Sequence, residues 1–200
     1  MMISNKDTLS DDQLKLINAL SRESAIRILL NLCEDSALVD RIYAMAISFL
    51  AKVDADEIAN EVFRNLNSIQ VEELWDNSGS TRLGYEDPTD VAFEMIENNI
   101  RPFVRKLEQL ESLGMKYEGK EFCKGIISGL LRYASKGSNE FHDWVPDDPY
   151  TVAENIIYDR KKNHSIEDIK EIQAVYDSFF FDGDENDNEG LIVGGEIDEL

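Results

Sequence analysis

Apolar residues along this chain recur at steps of three and four, and most such runs begin just after a residue able to cap a helix. Ser10-Asp11-Asp12-Gln13 has the capping-box form, and Leu14, Ile17 and Leu20 follow on one face. Ser21 restarts the pattern through Ala25, Ile26, Leu29, Leu30 and Cys33, so 11–20 and 22–34 form two helices or one bent helix. From Ala37 the stripe of Leu38, Val39, Ile42, Ala46, Phe49 and Leu50 is wide enough for contacts on two sides, which predicts a central helix. Asp54 opens the next helix with Ile58, Val62, Phe63 and Leu66, and a short piece with Val71, Leu74 and Trp75 leads into a loop.

Beyond the loop, Asp87-Pro88 sets a cap and a first-turn proline. Ala92, Ile96, Ile100, Phe103, Leu107 and Leu110 then advance in unbroken helical phase across Pro102, which predicts a kinked helix rather than two, stopped by Gly114 in a left-handed cap. In the helix from Glu118 to Ala134, Gly125 and Gly129 lie one turn apart. Each costs about 1 kcal/mol relative to alanine, so their presence predicts a second helix backbone close to that side. Asp148-Pro149 repeats the cap-and-proline start ahead of Val152, Ala153, Ile156 and Ile157, and Ser165 caps a last helix with Ile169, Ile172, Val175, Tyr176 and Phe179 inward. His142 and His164 read as a loop and a turn histidine, without the further ligands or nucleophile that a metal site or triad needs.

The two proline starts, 87–92 and 148–153, echo one another, either as two copies of a good helix start or as a duplicated unit of the kind found in helical arrays. The fold expected is all-α: seven or eight helices packed as antiparallel hairpins, repeat-like, in a single domain over 1–181. Within it a connector at 76–87 joins two helical blocks.

Residues 182–200 change character. They carry eight acidic side chains and no basic one, with too little apolar surface to order a fold, and are expected to be a disordered acidic tail. Counted from Glu185, the acids and Gly190 follow a calcium-loop pattern, but position one is Glu and no exiting helix can follow Glu196, so a solvated tail is the favoured reading.

The net charge of -21 disfavours direct binding to nucleic acid or to anionic membranes, and points to a protein partner, a basic one fitting more easily than an acidic one. No window approaches a membrane span and no secretion signal precedes the first helix, so a cytoplasmic location is expected. Cys33 and Cys123 match no metal or redox spacing and read as small buried residues. No motif calls for a cofactor or a metal.

The candidate binding residues lie in the loop: Trp75, Arg82 and Tyr85, around Ser78-Gly79-Ser80-Thr81. Hydroxyls, a glycine and an arginine ahead of a helix start are parts of a phosphate cradle, yet the Walker lysine is missing and Asp76, Glu86 and Asp87 oppose a phosphate. The connector reading instead places Arg82 against a carboxylate, with Trp75 and Tyr85 at least half buried.

The segment from Trp75 to Pro88, with Leu113-Gly114-Met115 and the run from Glu121 through Cys123, Gly125 and Gly129 to Leu130, resembles a family of uncharacterised microbial helical proteins over about residues 70–150. That resemblance implies an α-helical, repeat-like domain and carries over no functional residue. The expected function is a non-enzymatic scaffold or adaptor. The alternatives are an acidic decoy for a basic nucleic-acid-binding protein and a small-molecule or phosphate-handling enzyme built on the 75–88 loop.

Overall fold

The computed structural model describes residues 10–80, 84–162 and 164–181. Among them are nine α-helices: α1 (Asp11–Asn18), α2 (Arg22–Leu32), α3 (Ser36–Leu50), α4 (Ala55–Asn67), α5 (Val71–Asn77), α6 (Pro88–Ser112), α7 (Lys116–Lys136), α8 (Asp148–Arg160) and α9 (Ile166–Phe181). A two-stranded ribbon joins β1 (Gly79–Ser80) and β2 (Tyr85–Glu86), and a 3-10 turn occupies Glu140–Trp144. The all-α expectation holds, with more helices than the seven or eight expected. The chain falls into two compact units, Met1–Leu50 and Ala51–Leu200. The boundary therefore precedes α4, and the 76–87 loop lies inside the second unit.

Local chemistry sets the helix ends. The hydroxyl of Ser10 accepts from the Gln13 amide while the Ser10 amide donates to Gln13 Oε1, a reciprocal capping box. Asp54 accepts from the amides of Asp56 and Glu57, Asp87 from Thr89, and Ser165 from Asp168. Helix α6 runs through Pro102 without interruption, as the apolar phase predicts. It ends where Gly114 takes φ 74°, so that the Met115 amide reaches the Leu110 carbonyl at 3.0 Å.

The second proline start differs from the first. Asp148 is the first residue of α8 rather than its cap; Asp147 precedes it and makes no side-chain cap bond, and Asp148 Oδ2 is buried without a partner. Burial, and then the neighbouring Asp147 charge, raise the Asp148 carboxyl above its usual pKa. The likeness of 87–92 to 148–153 thus does not extend to how the two helices are capped.

In the second unit α7, not α3, is the central helix. It packs on α4, α6, α8 and α9, and Ile126, Ile127, Leu130, Leu131 and Tyr133 on it are fully buried. Each large apolar side chain so buried contributes about 1.5–3 kcal/mol. The two glycines act as their spacing predicts. A Cβ on Gly125 would lie 2.8 Å from the Ala55 carbonyl oxygen, and one on Gly129 at 2.8 Å from that of Ala59. Helix α4 therefore rests with its backbone against α7. Arg132 on α7 secures the crossing with bonds to Asp56 (2.7 Å) and Asn60 (3.0 Å).

Beyond α7, Asn139 closes the end of α4. Its amide donates to the carbonyls of Leu66 and Ile69 and its oxygen accepts from the buried Tyr133 hydroxyl at 2.9 Å, so one side chain satisfies three polar groups. On the opposite side Lys120 and Lys124 bridge α7 to Glu171 of α9 at 2.9 and 3.0 Å, and Lys120 also reaches Asp168 at 3.1 Å. The Tyr176 hydroxyl of α9 donates to Glu154 of α8 at 2.7 Å.

The first unit is built differently. Its helices are well formed and capped, but none of α1, α2 or α3 contains a buried residue, and the three make no substantial packed pair with one another. The expectation that α3 is a central helix is corrected on this point. Its wide apolar face is present, but Leu38, Ile42, Ile47 and Leu50 are only partly covered and none of its residues is buried.

Candidate functional site

Three features of the described residues have the character of a site: the ribbon after α5, a polar cleft beside α6, and the apolar surface of α1–α3.

The ribbon occupies the loop in which Trp75, Arg82 and Tyr85 were expected to act. Gly79 pairs with Glu86 and Ser80 with Tyr85 in antiparallel register. Gly79 at φ 84° and Gly84 at φ 144° supply backbone conformations that residues with a Cβ rarely adopt. Arg82 lies outside the described residues. Trp75 is 47% exposed and packs edge-on against Trp144, ring centroids 4.6 Å apart, which anchors α5 to the 3-10 turn. Tyr85 is 71% exposed, so the expectation that it is at least half buried is corrected. A two-residue ribbon offers it no opposing layer, and the tryptophan expected to share the clamp has Trp144 as its ring partner. A pair of paired strands was not anticipated either, since the alternation that marks a strand needs more than two residues.

The cleft, of about 530 Å³, is lined by Glu108, Glu111, Ser112, Lys116, Asp159, Arg160 and His164. At its base the Glu111 carboxylate is shared. Arg160 Nη1 donates to one oxygen at 2.6 Å, and His164 Nε2 lies 2.9 Å from the other. Both partners are almost completely buried, whereas Glu108, 3.9 Å from Arg160 Nη2, is largely exposed. His164 is therefore not a free turn histidine. It joins the α8–α9 turn to α6 through Glu111. Burial pushes the nearby Cys123 thiol up to about 12, the Arg160 charge opposing it and Glu111 adding a smaller push upward, so the group stays protonated and unreactive. The arrangement is that of an ion cluster tying α6 to α8 and to the α8–α9 turn. His142 is likewise structural, with Nε2 3.1 Å from the Ala134 carbonyl and its ring edge-on to Tyr133. Among the described residues no three His, Cys, Asp or Glu side chains converge on a possible metal position. The calcium-loop pattern from Glu185 lies outside the described residues.

The third feature is the most extensive. Large apolar side chains stand exposed along all three N-terminal helices: Leu16 at 70%, Leu30 at 63%, Tyr43 and Phe49 at 68%, with Leu14, Ile17, Ile26, Ile28, Leu29, Leu32, Val39 and Met45 between 36% and 51%. On α3 the apolar positions cover roughly 200° of the helical wheel, twice the stripe that a surface helix ordinarily buries. Only Asp40 and Arg41 are charged along its fifteen residues.

Charge is distributed just as unevenly. Residues 1–50 hold seven acidic and five basic side chains, net -2, which leaves -19 of the total -21 on residues 51–200. Within the apolar unit, charges pair along their own helices, Lys15 with Asp12 at 3.5 Å and Arg27 with Glu23 at 2.7 Å. No described helix is long and apolar enough to cross a membrane.

Sequence reasoning had these residues in view but assigned them to a core. The signal that marks them out is the combination of a wide apolar arc with caps that end each helix after two to four turns, which exposes the arc unless another element covers it. Comparison with models of protein families, with curated proteins and with solved structures gave no match for this chain.

Proposed function

We propose that this protein is a non-enzymatic cytoplasmic scaffold or adaptor whose helices α1–α3 dock on another polypeptide, while the unit from Ala51 onward is the folded body that carries them. The observation that carries the reading is the set of capped helices with large apolar residues exposed and no buried residue of their own. Exposed large apolar residues in this number on three successive helices are rare on a protein that works alone and mark interaction sites. The ion cluster at Glu111 and the glycine-mediated crossing of α4 on α7 are, in this reading, devices of a rigid carrier.

A photo-crosslinking side chain tests this directly. Placed at Leu30 and expressed in cells, it should give discrete crosslinked protein products, whereas the same group at Glu61 on α4 should give few. Equal yields at the two positions would remove the case for α1–α3 as the docking surface.

The second reading, an acidic decoy for a basic nucleic-acid-binding protein, draws on the -19 concentrated in residues 51–200. It assigns binding to the body. Crosslinks at Glu61 that vanish in high salt would favour it over the adaptor.

A further inference from the structure

We infer that the polypeptide covering α1–α3 is a second copy of this chain, so that the N-terminal units of two copies form one intermolecular helical bundle. The inference rests on the adaptor reading above and names the partner of that surface.

Area is the first argument. Twelve large apolar residues of α1–α3, most of them about half exposed, leave on the order of 1,000 Å² of accessible surface, against about 800 Å² per partner in a standard interface. The surface is therefore enough for a stable dimer without any contribution from the body.

The second argument is geometry. An apolar arc of roughly 200° on α3 needs neighbours on two sides. Three helices of one copy that pack on each other only sparsely leave those places largely open, and three more from a second copy can fill them, because each helix of a bundle contacts two others.

Charge decides between a second copy and a different protein. A unit of net -2 whose Lys15 and Arg27 are already paired within their helices has no field with which to recruit a strongly charged partner, and it meets little repulsion from its own kind. The body, at -19, would repel another body. Self-association is thereby directed to the one region where charge does not oppose it, and a two-fold axis sets each apolar face against its equivalent. A lipid surface fits less well: fifteen residues of α3 span about 22 Å of helix, short of the ~30 Å hydrocarbon core, and the chain's charge repels anionic headgroups.

The test uses the full chain. Light scattering and sedimentation velocity over roughly a hundredfold range of concentration should give twice the chain mass, unchanged in high salt because the contact is apolar. Combined Leu30→Glu and Tyr43→Glu should shift the midpoint of dissociation at least tenfold toward monomer, while Leu30→Met leaves it near that of the unaltered chain. The dispersion of the body's amide resonances reports whether the variants remain folded.

A dimer that persists in the double variant would place the contact elsewhere and overturn the inference. So would a monomer at every concentration, and amide hydrogen exchange then separates the two proposals. Unprotected amides in α1–α3 of a monomer leave the adaptor reading standing without a second copy. Protected amides mean that the chain covers its own apolar faces, and both proposals fall. Co-sedimentation of a monomeric chain with neutral phosphatidylcholine vesicles would assign the surface to lipid instead.

Discussion

The helices before Leu50 and those after Ala51 share local grammar and differ in what they do with it. Both sets are capped by Ser or Asp side chains at short hydrogen-bond distance, and both carry apolar residues at helical spacing. In the second set those residues close on one another. Leu66, Ile96, Leu107, Ile126 and Leu130 are fully buried, and α7 is packed by four helices. In the first set none is buried. The difference teaches that amphipathic pattern and capping specify a helix but not what it packs on. Isolated helices of eight to fifteen residues are marginal in water, so the first unit needs burial from outside itself to be stable.

The comparison is sharpened most by truncating one leucine on each side of it. Leu130→Ala, at a fully buried position on the central helix, should lower the unfolding free energy by about 2–5 kcal/mol, whereas Leu16→Ala should change the unfolding of the body by no more than about 0.5 kcal/mol. Chemical denaturation followed by tryptophan fluorescence reads both, because Trp75 and Trp144 report only on the body. A comparable loss at Leu16 would break the distinction between the units.

Glu111→Ala should cost a comparable amount, about 3–5 kcal/mol, because it leaves the Arg160 guanidinium buried without its closest counter-charge. Glu111→Gln should recover part of that loss by keeping a hydrogen-bond acceptor, and the pair of variants separates lost charge from lost packing.

Gly129→Ala comes next. Added helix propensity favours alanine by up to about 1 kcal/mol, but a Cβ there meets Val62 and the backbone of Ala59, and overpacking of that kind costs about 1–3 kcal/mol. Net destabilisation is expected in thermal unfolding; a rise in Tm would show that α4 does not rest on α7 as described.

The smallest effect is that of pH on α9. The Lys120 ammonium first and Lys124 second hold Glu171 below the usual carboxylate range, and Asp168 is lowered by the Ser165 hydroxyl and then by Lys120. Groups whose pKa is lowered by folding contribute stability that is complete above their unfolded pKa and is lost as pH falls through the folded value. Lys120, raised by Glu171 and then Asp168, works at the other limit, losing its contribution as pH rises above its ordinary value of 10.5. Amide exchange in α9 should therefore quicken relative to α4 below the ordinary carboxylate range, with little change between pH 5 and 9. Equal quickening of α4 would mean that these bridges do not set the local stability of α9.

How much of this was legible in the residues can be traced position by position. Ser10, Asp54, Asp87, Ser165 and Gly114 act where their types and spacings place them, since a cap acts within four residues of itself. Gly125 and Gly129 announced a close helix neighbour, because a glycine pair in mid-helix is costly unless something uses the space. Asp148 misled by a single residue: two acids precede Pro149, and only the path of the chain decides which of them takes the cap position. Of the expected site residues, Trp75 finds a ring partner 69 residues away, Tyr85 is exposed, and Arg82 lies outside the described residues. His164 looked like a turn residue because its partner, Glu111, is 53 positions distant and one acid among many in this chain.

The sequence by itself determined that the chain is helical, where most helices start and stop, and that its charge is strongly acidic, since propensity, caps and net charge act locally or simply add. Tertiary structure alone decided that α7 is the centre, that α3 is not, that Glu111 is the shared anion of a buried cluster, and that the chain divides at Leu50. Those outcomes depend on which apolar face meets which, and a wide apolar arc reads the same along the chain whether its own fold covers it or leaves it for another molecule.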